Sequence, residues 1–115
     1  MSEQTPADTI LKMGKLLANP AHWCQGALAR TAAGTSVCPT SKRARAWDLA
    51  GVTYHVVNLK PTDFKSAKIN KIGPVLGELQ IASHKLFGTG FVVVNDTMGH
   101  EATMQVLRLA YRRTK

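Results

Sequence analysis

Residues 23–39 read WCQGALARTAAGTSVCP, two short runs flanking Thr31-Ala32-Ala33-Gly34. Glycine adopts a positive φ without steric cost, so a four-residue connection ending in Gly34 suits a tight turn, and pairing 23–30 with 35–39 predicts a short β-hairpin. That reading decides the fold class. Most of the other periodic segments favour helix. With the hairpin in place, the expectation is an α+β, mostly helical single domain of about four helices, carrying the hairpin and one further short strand.

Toward the N-terminus, residues 6–18 place Ala7, Ile10, Leu11, Gly14, Leu17 and Ala18 at helical spacing, with Thr5 as N-cap and Pro6 at the first helical position. Asn19-Pro20 stops that helix. Beyond the hairpin, Thr40 or Ser41 can cap a second helix running to about Leu59, with Ala44, Trp47, Ala50, Gly51 and Tyr54 on one stripe. Its β-branched tail VTYHVV also suits a strand. Lys60 to Asp63 is a turn, and Phe64 to Leu86 reads as helix broken at Gly73-Pro74, because proline lacks an amide donor and disfavours helix at the residue before it. FVVVN, residues 91–95, is the further short strand, followed by a turn at Asp96 to Gly99. His100 to Arg113 closes the chain as an amphipathic helix, with Ala102, Val106, Leu109 and Ala110 inward and Arg108, Arg112 and Arg113 outward.

The 115 residues fit one domain, and no window approaches the roughly 20 apolar residues that span a bilayer. The opening MSEQTPADTI lacks the basic and apolar regions of an export signal, which predicts a cytoplasmic protein without a membrane partner. In that reducing setting Cys24 and Cys38 are expected to be free thiols.

Lysine plus arginine total 15 against 7 acids, for a net charge of +8. Such an excess favours polyanionic partners. The charge gathers in Lys42, Arg43 and Arg45, in Lys60, Lys65, Lys68 and Lys71, and in Arg108, Arg112, Arg113 and Lys115. Glu3, Asp8, Asp96 and Glu101 lie outside these clusters. A helix beginning SKRAR and a last helix ending RLAYRRTK are the candidate phosphate-contacting faces, so Lys42, Arg43, Arg45, Arg108, Arg112 and Arg113 are the candidate nucleic-acid-binding residues.

Signals for chemistry are sparse. His22 and Cys24 share a face of an extended strand, but their β-carbons stand about 6 to 7 Å apart, too far for a base to reach a thiol directly. No CxxC, HxxxH or HxxE spacing occurs, so no metal site is expected. Asp96 precedes a helix N-terminus, where a carboxylate stabilises unpaired amides, and Gly88-Thr89-Gly90 matches no phosphate-loop pattern. Neither a catalytic residue nor a cofactor follows.

Three stretches carry a resemblance: Trp23, Gln25, Gly26, Ala27, Ala29 and Arg30; then Trp47 and Gly51; then Asn95, Asp96, Gly99, Val106, Leu107 and Leu109. In order and spacing the chain resembles a small family of bacterial, largely actinobacterial, and phage-associated proteins with W-x-Q-G-A-x-A-R and N-D-x-x-G motifs. The resemblance covers nearly the whole chain except residues 60–90, and implies a shared fold and a bacterial or phage source, with no known activity. Where the family has a cysteine after its second tryptophan this chain has Asp48, and where it has an aromatic before Asn-Asp this chain has Val94.

The shared residues read as scaffold. Trp23, Gln25, Arg30, Trp47, Asn95 and Asp96 form the candidate structural or pocket set, with Gly26 and Gly51 allowing close backbone approach and Arg30 expected to pair with Asp96. The functional expectation is a small basic, non-enzymatic binding or adaptor protein associated with nucleic acid. The alternative is a phage or mobile-element protein that binds a host protein, and a hydrolase using Cys24 or Asp96 ranks last. Nothing in the sequence sets an oligomeric state.

Overall fold

The computed structural model describes residues 4–115, so Glu3 lies outside the described residues. Helix α1 (Pro6–Leu17) begins as expected: the Asp8 amide donates to Thr5 Oγ1 at 3.1 Å, and Asp8 Oδ2 accepts from the Thr5 amide at 3.1 Å. This reciprocal pairing satisfies two backbone donors at the helix start. Asn19 then opens a single 3-10 turn over Pro20–His22, which carries the chain back toward the centre.

The hairpin reading holds in part. Residues 31–35 do turn tightly, with the Thr31 amide on Thr35 O at 2.8 Å, and the Val37 amide reaches Ala29 O at 3.0 Å. The main partner of β1 (Ala29–Arg30) is nevertheless β2 (Ala46–Trp47), antiparallel, with Ala29 opposite Trp47 and Arg30 opposite Ala46. Residues 40–45, expected as the start of a helix, are loop. The Arg45 amide donates to Arg30 O and the Asp48 amide to Leu28 O, so this segment is spent on the sheet and helix α2 (Leu49–Val57) starts later, capped by Asp48. The tail VTYHVV is helical because Val52, Thr53 and Val57 are buried by the rest of the fold, outweighing their β preference.

A 3-10 turn at Ala67–Lys71 leads into α3 (Ile72–Phe87), and Gly88 caps its end in the left-handed region at φ 71°. Gly73-Pro74 lies in the first turn of α3, where a missing amide costs nothing, so it starts the helix rather than breaking it. FVVVN is not a strand. It forms the short helix α4 (Phe91–Val93) and enters a π turn at Val94–Met98. Phe91, Val94 and Asn95 are buried while Val92 and Val93 are exposed, which is helical spacing, and the Phe91 amide is held by Gln80 Oε1 at 3.0 Å. Helix α5 (His100–Thr114) completes the chain, giving five helices around one small sheet among the described residues.

α5 packs along α1 and α3, and Ile10, Met13, Leu17, Leu49, Val52, Val75, Leu79, Val94 and Val106 share a core. No described helix is long and apolar enough to cross a membrane.

Candidate functional site

Asn95 is 1 % exposed, and its side chain joins three distant parts of the chain. Its Oδ1 accepts from the Trp23 indole nitrogen at 2.8 Å and from the Leu49 amide, the first of α2, at 3.2 Å. Its Nδ2 donates to Cys24 O at 3.1 Å and to Asp96 Oδ1 at 3.0 Å. The Asn95 carbonyl accepts from Gln25 Nε2 at 3.0 Å, and Asp96 Oδ1 also accepts from the Gly26 amide at 3.1 Å. The π turn supplies this geometry, since its wider backbone presents Asn95 inward and Asp96 to the same loop.

Trp23, Gln25, Asn95 and Asp96 are therefore brought together. Trp47 lies alongside, buried, with its indole nitrogen on Pro39 O at 3.0 Å and its ring 4.3 Å from that of His55. Arg30 departs from expectation: it does not pair with Asp96. Its guanidinium donates to Gly34 O at 2.9 Å and Gln25 O at 3.2 Å, stapling the 25–34 loop to itself, while Asp96 Oδ1 accepts from the Gly26 amide and Asn95 Nδ2.

Burial shifts two titratable groups beside this hub, Cys24 and Asp48. Burial first, and then the Asp48 carboxylate, pushes the Cys24 thiol up to about 11, so it stays protonated at neutral pH. Its Sγ donates to Ala27 O at 3.5 Å, and His22 Nδ1 lies against Leu16 O at 3.1 Å. Cys24 and Cys38 are both free thiols. Among the described residues no group of three or more His, Cys, Asp or Glu is placed to hold a metal.

Burial also raises the Asp48 carboxyl from 3.8 to about 6, Asp96 adding to the rise while the Gly51 and Ala50 amides oppose it. A carboxyl whose pKa is higher in the fold binds more protons folded than unfolded between these values. Its stabilising contribution is thus complete below pH 3.8 and is lost as pH rises through about 6. Asp48→Asn keeps an oxygen for the Gly51 amide and removes the charge. We expect the variant to gain about 1–2 kcal/mol over the natural protein at pH 7.5, and to show little gain at pH 4. Urea midpoints at the two pH values check this. Asp8 and Glu101, held below the usual carboxylate range by Thr5 and by Arg108 respectively, are common to both proteins and cancel in the comparison.

The basic residues sort into two kinds. In α5, Arg108 pairs with Glu101 at 2.7 Å and Arg113 with Glu78 at 3.0 Å, while Arg112 is exposed without an ion pair to a described acid. By contrast Lys42, Arg43, Arg45, Lys60, Lys65, Lys68 and Lys71 are all exposed and form no ion pair with a described acid. They lie on adjoining segments. Thr40 shares a polar depression of about 400 Å³ with Asn58, Lys60, Ser66 and Lys68, while Arg43 and Arg45 line another with Thr31, of about 290 Å³. Asp63, the acid of the first depression, spends Oδ1 on the Lys65 and Ser66 amides.

Amid these lysines stands Phe64, 76 % exposed, whereas Phe91 is buried and Phe87 half-buried. Sequence reasoning places Phe64 at a helix start and misses it; the signal that could have found it is an aromatic between Lys60 and Lys65 directly after a Pro-Thr-Asp turn. Comparison of the chain with protein-family models, with curated proteins and with solved structures returned no match.

Proposed function

We propose that this protein is a non-enzymatic nucleic-acid-binding module whose contact face is the basic belt of residues 40–45 and 58–71. The observation that carries this reading is Phe64, 76 % exposed among cations that have no acidic partner in the described chain. An exposed aromatic costs solvation and contributes nothing to the core, but a base stacked on it gains free energy whatever its identity. The lysines and arginines without a described acidic partner hold phosphates, and the depressions beside Thr31, Thr40 and Ser66 offer hydroxyls to phosphate oxygens. Stacking needs unpaired bases, so the favoured ligand is a single strand.

A cytoplasmic setting and a bacterial or phage source belong to the same proposal, the second from the W-x-Q-G-A-x-A-R and N-D-x-x-G resemblance. Fluorescence anisotropy with labelled single-stranded and duplex oligonucleotides tests it. The single strand is expected to bind more tightly, with Phe64→Ala costing about 1–3 kcal/mol of that affinity and Phe64→Trp restoring it. Equal binding of single strand and duplex with no effect of Phe64→Ala overturns the stacking role. No binding of either at low salt overturns the function.

A further inference from the structure

A second surface lies apart from the belt. Helices α1 and α5 enclose an open groove of about 310 Å³ whose walls are Ile10, Leu11, Gly14 and Ala18 on one side and Met104, Leu107 and Tyr111 on the other. Each wall repeats at i, i+3 or i+4, and i+7, so the groove runs along two helical turns. Lys15 stands on the α1 rim and Arg108 on the α5 rim, and the Lys115 ammonium sits 5.3 Å from the centre of the Tyr111 ring. No described acid lines the groove.

Gly14 makes the groove informative. Glycine weakens a helix interior relative to alanine because it forfeits more backbone entropy on folding. Here nothing in the fold requires it: its φ is negative, and a Cβ built on it meets no atom within 4 Å. The missing side chain leaves the groove floor open at the cost of helix stability.

We infer that this α1–α5 groove is a docking site for an acidic amphipathic helix of a partner protein, a function separate from nucleic-acid binding. Apolar side chains at i, i+3, i+4 and i+7 of such a helix would seat between the two walls, and flanking carboxylates would meet Lys15 and Arg108. Of the two rim cations Lys15 forms no ion pair with a described acid, whereas Arg108 already holds Glu101 at 2.7 Å, so Lys15 is the main anchor for an incoming carboxylate. Charge argues against a second copy of the chain, because two molecules at +8 repel and each would bring the same cationic rim to the contact.

The probe is a fluorescein-labelled helical peptide with leucines at i, i+3, i+4 and i+7 and glutamates beside them, titrated against the full chain by anisotropy. A twin peptide carries lysines in place of the glutamates. The acidic peptide is expected to bind roughly tenfold or more tightly than its twin, and Gly14→Leu, which fills the floor, to weaken it by a similar factor while melting no lower than the natural protein. Lys15→Glu, which leaves the helix and the floor intact, is expected to shift preference toward the lysine peptide. Equal binding of the two peptides, or unchanged binding by both variants, overturns the inference. So does displacement of the acidic peptide by a single-stranded oligonucleotide, which would place it on the belt. Dimerisation in sedimentation that Gly14→Leu abolishes would assign the groove to a second copy and overturn it equally. Because the groove and the belt share no residue, loss of oligonucleotide binding leaves this result standing.

Discussion

Asn95→Ala is expected to remove about 3–5 kcal/mol of stability and to lower Tm by roughly 12–20 °C. The side chain is buried, and its truncation strands three groups at once: the Trp23 indole N–H, the Leu49 amide and the Cys24 carbonyl. A buried polar group without a partner costs about 1–3 kcal/mol, and the Leu49 amide and Cys24 carbonyl belong to buried residues while Trp23 is half-buried. For a domain whose whole stability is about 5–15 kcal/mol, that loss approaches unfolding at body temperature. Asn95→Asp separates the two ends of the amide. It retains Oδ1 for Trp23 and Leu49 but replaces the donor to Cys24 O and Asp96 with an acceptor, so it is expected to be at least as damaging at neutral pH and milder in acid. Thermal melts at two pH values distinguish the variants.

Gly51→Ala is the second large effect, again about 3–5 kcal/mol. A Cβ at this position would lie inside the Leu28 carbonyl oxygen and close against its carbon. Those are backbone atoms, and the same carbonyl accepts the Asp48 amide at 3.2 Å, so neither the loop nor the helix can yield cheaply. Relief requires α2 to back away from residues 24–30, which also opens the Leu49 to Asn95 bond. A double variant adding Leu28→Ala is expected to recover nothing, because the conflict is with the main chain. Recovery there would show that the Leu28 side chain sets the approach.

Local signals make parts of this fold legible. Thr5, Pro6 and Asp8 mark the start of α1, Gly88 marks the end of α3, and the spacing of Val106 and Ala110 marks α5, although Thr103 and Leu107 take the buried places expected for Ala102 and Leu109, which are half-buried. The β2 to α2 boundary is not legible. Ser41 and Asp48 are both good caps, and only the pairing of residues 45–48 with 28–30 selects Asp48. FVVVN hides its helical period because exposed Val92 and Val93 are as apolar as the buried positions. The same division applies to the site. Trp23, Gln25, Asn95 and Asp96 stand out as a set in the sequence, yet which atom meets which depends on a π turn that no residue pattern announces. Arg30 and Asp96 read as an ion pair because they carry opposite charges, and backbone groups claim both first. The basic residues are visible as clusters, but the separation of the paired Arg108 and Arg113 of α5 from the unpaired cations of the belt needs Glu78 and Glu101 placed in space.

That division yields the most direct measurement: the slope of log affinity against log salt for a single-stranded oligonucleotide, compared between two triple variants. Lys42→Gln, Arg43→Gln and Lys60→Gln together are expected to flatten the slope by about 2, at roughly 0.7 for each phosphate of a single strand that is no longer neutralised. Arg108→Gln, Arg112→Gln and Arg113→Gln together are expected to flatten it by at most about 0.7, since Arg112 alone of the three lacks a described acidic partner. A slope that falls with the α5 variant and holds with the belt variant would contradict the assignment of the basic belt as the nucleic-acid face.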